Sequence, residues 1–81
     1  MPGKWTVFDA EIVRIIRRHG PSTLYQIRPR IKIAFPRLCD DHDITQYEEP
    51  RWQHNLRARL EHMKGDGQLR HDGHGDPYAL P

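Results

Sequence analysis

Cysteine occurs once in the 81 residues, as Cys39. A single cysteine excludes an internal disulfide and a four-cysteine zinc site. Serine also occurs once, as Ser22, without the elbow motif of a serine nucleophile, and no glycine-rich loop suited to cradling a phosphate is present. No apolar run reaches the roughly 18 residues needed to cross a bilayer. Residues 1–11 hold no apolar stretch of signal-peptide length, and internal repeats and low-complexity segments are lacking. These absences lead to the expectation of one cytoplasmic domain, residues 1–81, with no membrane span, no cofactor and no catalytic role of its own.

Two clusters invite a metal reading. Asp41-His42-Asp43 lies in a polar stretch with no partner at fixed spacing and reads as a solvated loop. His71-Asp72-Gly73-His74-Gly75-Asp76 collects four titratable groups, but its glycine-flanked spacing fits a tight turn better than a set of ligands converging at about 2.0–2.3 Å. No metal site is expected.

Charge is present but segregated. The net +2 conceals a basic block at residues 1–37 with eight Lys/Arg against Asp9 and Glu11, and an acidic block at 38–50 with five Asp/Glu and no Lys/Arg. Residues 51–81 are close to balanced, with five basic and four acidic side chains. Such a split suggests a polyanion-binding face and a repelled side.

Helical periodicity appears three times. Phe8, Ile12, Ile15 and Ile16 form one apolar stripe, with Thr6 and Asp9 placed for a capping box and Trp5 for a hydrophobic staple. His19-Gly20-Pro21 ends that helix, and Ser22 or Thr23 caps the next, whose stripe is Leu24, Ile27, Ile31, Ala34 and Phe35. Pro29 falls inside this second run, yet the stripe keeps its phase, so one bent element is expected, with Arg28, Arg30 and Lys32 on its far side. Residues 36–49 form a long acidic connection, which Ile44 and Tyr47 are expected to pin to the core.

The third run starts at Pro50 and places Trp52, Leu56, Leu60 and Met63 on one face. Gly65 and Gly67 stop it. Leu69, Arg70, Tyr78, Ala79 and Leu80 then alternate around an Asp72–Gly75 turn, which predicts a two-stranded hairpin. The fold class read from this order is α+β, a winged helix-turn-helix with three helices and a C-terminal β-hairpin wing.

In such a fold the third helix enters the major groove. Its outward residues are Arg51, His54, Asn55, Arg57 and Ala58, the candidate base-reading set. Arginine can grip guanine, asparagine can read adenine, and alanine leaves room for a methyl group. Arg28, Arg30 and Lys32, with Arg70, His74 and Tyr78 of the wing, are the candidate DNA-backbone contacts. Arg59 sits at the edge of the apolar face and is expected to be structural.

The run Trp52-Gln53-His54-Asn55-Leu56-Arg57-Ala58-Arg59-Leu60 resembles the forkhead recognition helix, Trp-Gln-Asn-x-Ile-Arg-His-x-Leu. That family's base-contacting positions fall on His54, Arg57 and Ala58, and Arg57 keeps the family residue. A broader resemblance joins Thr23-Leu24-Tyr25-x-Ile27, Phe35-Pro36, the Pro50-Arg51-Trp52 start with Arg57, Leu60, Met63, Gly67 and Leu69, and Gly75-x2-Tyr78-x-Leu80. This layout resembles bacterial and phage winged helices appended to restriction endonucleases, including HNH nucleases and the DpnI type. The resemblance implies a non-catalytic targeting domain of a nuclease, acting on double-stranded DNA that carries N6-methyladenine, with a fused or associated nuclease domain as partner. The family's Gly-Arg-Gly-x-Tyr wing is here Gly73-His74-Gly75-Asp76-Pro77-Tyr78. A monomer is expected. Two other classes stay open: a regulator of transcription with the same fold, binding palindromes as a dimer, and a winged helix for protein–protein contact with an apolar patch around Tyr47 or Tyr25.

Overall fold

Phe8, Ile12, Ile15 and Ile16 share one side of a helix, and in the computed structural model, which describes residues 3–81, all four are buried. A 3₁₀ turn at Lys4–Thr6 runs directly into α1, Val7–His19; α2 spans Leu24–Ala34 and α3 spans Arg51–Gly65. The three helices pack around Phe8, Ile12, Ile27, Ile31, Leu56, Leu60 and Met63, each fully shielded from solvent. Truncating one of these leucines or isoleucines to alanine removes about 2–5 kcal/mol. Among the described residues no helix is long and apolar enough to cross a membrane.

The helix ends follow local chemistry. At the start of α1 the expected Thr6–Asp9 box does not form. Thr6 is itself helical, with φ −67° and ψ −15°, and its hydroxyl donates to the Gly3 carbonyl at 2.7 Å. At α2 the box is complete: the Gln26 amide donates to Thr23 Oγ1, and the Thr23 amide donates to Gln26 Oε1 at 2.9 Å. Pro29 lies inside α2 on an exposed position, so the hydrogen bond it removes is lost on the solvent side and the helix runs through. Beyond α3, Gly67 takes φ 79°; its amide reaches Lys64 O and the Gln68 amide reaches Met63 O at 2.8 Å, the paired bonds of a Schellman ending.

Two packing expectations fail. Ala34 is exposed, because the α2 core face stops at Ile31 and Phe35, the latter half-buried against Phe8. Ile44 and Tyr47 do not pin the connection. They are 49% and 67% exposed, while Cys39 is buried and Leu38 half-buried in their stead.

The C-terminal hairpin is the main correction. The described residues contain three helices and no β-strand, so the molecule is a mostly helical small domain without a wing. Arg70 and Ala79 exchange both backbone hydrogen bonds, at 2.7 and 2.9 Å, as an isolated antiparallel bridge. In that register the next hydrogen-bonded pairs are Asp72 with Pro77 and Gln68 with Pro81. Proline has no N–H to give, so the ladder stops on both sides. Tyr78 instead exchanges both backbone bonds with Ser22, at 2.8 and 2.9 Å. The segment pairs with itself at that one bridge only and is otherwise stitched to the turn before α2.

Candidate nucleic-acid interface

The outward face of α3 is built by the helix itself. Trp52, Leu56, Leu60 and Met63 are buried, which turns Arg51, Arg57 and Ala58 into solvent and leaves His54 and Asn55 half-exposed. All five candidate base-reading residues therefore lie along the first two turns on one accessible side.

Their side chains are engaged, and mostly by the acidic connection. Arg51 Nε donates to the Asp43 carboxylate at 3.2 Å. His54 Nδ1 and Arg57 Nη2 both reach Glu49 Oε1, at 2.9 and 2.8 Å. Asn55 Nδ2 donates to the Arg51 carbonyl at 2.8 Å. Asp41 accepts from the Trp52 indole at 2.8 Å and pairs with Lys32 of α2. The acidic block is thus not a repelled side; it covers the basic start of α3.

Backbone geometry delivers these carboxylates. Ile44 and Pro50 form an isolated bridge, with Arg51 N–H to Asp43 O and Thr45 N–H to Glu49 O both at 2.8 Å. Glu48 turns the chain with φ 61°, a left-handed value that side-chain-bearing residues seldom take, and this swings Glu49 onto α3. The His54 hydrogen bond, followed by the Arg57 charge, holds the Glu49 carboxyl below its ordinary value against the opposing effect of burial. Tyr47 stacks on His54 with ring centroids 5.9 Å apart.

The candidate backbone contacts separate. Lys32 is committed to Asp41, and Arg30 Nη1 donates to the Gln26 carbonyl at 3.0 Å. The Arg28 guanidinium lies over the Tyr25 ring, 5.1 Å from its centroid. Arg70 and His74 are exposed. Tyr78 is 4% exposed, stacks on His71 at 3.9 Å and donates its hydroxyl to Glu61 at 3.0 Å, so it belongs to the core and not to a surface open to phosphate. Arg59 is structural, joined to Asp9 of α1.

Reading the sequence alone missed Asp43 and Glu49 as partners of this face. The available signal was their position: a run of carboxylates leading straight into a basic helix is close enough to pair with it. It also passed over Lys64, which borders the same face, and placed the 73%-exposed Tyr25 there only as part of an apolar patch for protein contact. Comparisons with protein-family models, with curated proteins and with solved structures find no match to this chain.

Proposed function

We propose that this chain is a double-stranded DNA-binding module that offers the first half of α3 to the major groove. Arg51, His54, Asn55, Arg57 and Ala58 face the bases; Arg28, Arg30, Lys32, Arg70 and His74 serve the backbone. The observation that carries this reading is that the arginines of α3 remain about half exposed within their ion pairs. Arg51 and Arg57 are 48% and 46% exposed in their pairs with Asp43 and Glu49. Pairs of that exposure are worth about 0.2–1 kcal/mol each. Phosphates or base edges can replace the carboxylates at little cost.

The likeness to nuclease-appended domains supports a cytoplasmic targeting module, monomeric and working with a fused or associated nuclease. The exposed Ala58 methyl leaves space beside it and supports N6-methyladenine as the mark read. A second reading, protein–protein contact, is favoured by exposed apolar side chains: Ile33 is 80% exposed and Tyr47 67%.

The test is a fluorescence-anisotropy titration with matched duplexes, unmodified and carrying methyladenine in GATC, at two salt concentrations. Tighter binding to the methylated duplex at both salts is the expected result. Log affinity against log salt should slope by roughly −4 to −5 for about four to six neutralised phosphates. Arg57→Ala should cost about 1–3 kcal/mol on the preferred duplex. Equal binding to both duplexes would overturn the methyl reading. No binding at low salt would overturn DNA and favour protein contact.

A further inference from the structure

α1 turns its apolar stripe into the core and leaves Ala10, Val13, Arg14, Arg17 and Arg18 to line a shallow groove on its outer side. The three arginines are exposed, and none belongs to the α3 face or to the backbone contacts assigned above. Charge is handled differently on the two helices. On α3, Arg51 and Arg57 each meet a carboxylate of the acidic connection. On α1, no carboxylate among the described residues lies within ion-pair distance of Arg17 or Arg18. The helix's own acids do not neutralise the groove. Asp9 is held by Arg59, and Glu11 approaches Arg14 only to 3.8 Å, beyond hydrogen-bond reach.

Like charges also gather at the end of α1. Arg17, Arg18 and His19 stand in its last turn. Desolvation, then the charges of Arg30 and Arg18, hold the His19 imidazole below its ordinary value. The helix dipole favours cations in a last turn and accounts for Arg17 and Arg18. It does not account for Arg14, a turn earlier, or for Arg30, which α2 brings to the same end. The result is a positive potential that the fold itself leaves without a counter-charge.

The make-up of the face narrows the partner. Its apolar part is Ala10 and the half-buried Val13, without the aromatic anchors that carry protein–protein binding. Its cations are all arginines, whose planar forks hold two phosphate oxygens at once. The helix rise sets Arg14 and Arg18 about 6 Å apart along the axis. A strand of B-DNA offers a phosphate about every 3.4 Å of its own axis, so the three forks match about two to three phosphates. We infer that the outer face of α1, through Arg14, Arg17 and Arg18, binds the phosphodiester backbone of nucleic acid without regard to sequence. This face goes beyond the α3 reading, and either face can hold a duplex without the other.

The experiment is an NMR titration of the full chain with a random-sequence duplex, following backbone amides and the His19 imidazole, and repeated with poly-glutamate. Amide shifts over residues 13–19 are expected, with a rise in the His19 midpoint as phosphates offset Arg30 and Arg18. Anisotropy across salt then compares wild type with Arg14→Gln/Arg17→Gln/Arg18→Gln, all at exposed positions. The triple variant should bind about tenfold more weakly at low salt and flatten the slope of log affinity on log salt by about 2. The corresponding triple lysine variant should keep the wild-type slope. If the glutamine variant does not fold, the wild-type shifts decide. Duplex shifts on α3 with none on α1 overturn the α1 face and spare the α3 reading. Shifts on α1 with none on α3 support this face and count against that reading. An unchanged slope in the folded glutamine variant overturns the face. Poly-glutamate that shifts residues 13–19 as strongly as duplex at equal charge overturns the nucleic-acid assignment in favour of an acidic protein.

Discussion

Arg59 of α3 holds Asp9 of α1 with two parallel hydrogen bonds, Nε to Oδ1 at 2.9 Å and Nη2 to Oδ2 at 2.6 Å. The pair is mostly shielded, with 19% and 26% of the two side chains exposed. Planar bidentate geometry of this kind is the strongest form of ion pair that side chains make. Its bonds raise the affinity of Arg59 for its proton, chiefly through the Asp9 hydrogen bond. Arg59→Ala should destabilise the domain by about 1–3 kcal/mol, between the values for exposed and buried pairs. Urea unfolding of Arg59→Ala, Asp9→Leu and the double variant checks this; a double variant no better than the sum of its parts would remove the coupling.

Glu49 sets a second expectation. His54 and Arg57 share its Oε1, so Glu49→Gln releases both toward a polyanion. Binding of any duplex should tighten by a few-fold at low salt, and the gain should shrink as salt screens the charges. If Glu49→Gln weakens binding, the carboxylate is arranging the reading side chains for DNA and not competing with it.

The same carboxylate titrates low, and the sign of the linkage follows. A depressed carboxyl stabilises the fold above its ordinary value of 4.5, and the contribution is lost as pH falls through the lower, folded value. Carboxyl-detected NMR should find the Glu49 midpoint below 4.5. His54→Ala should raise it more than Arg57→Ala does, because the His54 hydrogen bond is the larger cause.

Tyr78 moves in the opposite direction. Burial, with help from the Glu61 hydrogen bond, pushes its phenol up to about 12. The folded state keeps the proton longer than the unfolded chain, whose phenol ionises near the ordinary 10. Stability from this group is full below pH 10 and falls as pH rises from 10 to 12. Near-ultraviolet absorbance should show one of the three tyrosines ionising late, and Tyr78→Phe should abolish that step while costing about 1 kcal/mol.

Cys39 is 2% exposed, and burial pushes its thiol up to about 11. Both effects suppress thiolate chemistry. Modification by a thiol reagent at neutral pH should therefore follow the rate of opening of the fold; fast stoichiometric labelling of the native chain would contradict the packing.

The helices were legible because their apolar spacings are long and regular. Phe8 to Ile16 and Trp52 to Met63 each dictate one face, and Gly20 and Gly67 mark ends that need left-handed backbone. The hairpin was misread because alternation at Leu69, Arg70, Tyr78 and Leu80 was weighed without register. Once Arg70 faces Ala79, Pro77 and Pro81 fall where donors are needed. The face of α3 was legible as a set of residues, since burial of Trp52 and Leu56 fixes what points outward. Its pairing with Asp43 and Glu49 was not, because it depends on the turn at Glu48, a backbone conformation that a glutamate does not announce.

The paired bonds between Ser22 and Tyr78 join the start of the second helix to the C-terminal segment. A ribosome delivers α1, α2 and α3 well before Tyr78 emerges. Through that interval the core lacks one of its aromatic members and Ser22 lacks both backbone partners. Completion of this fold during synthesis therefore waits on residues beyond the last helix, Leu69 and Tyr78, and not on the appearance of α3 alone.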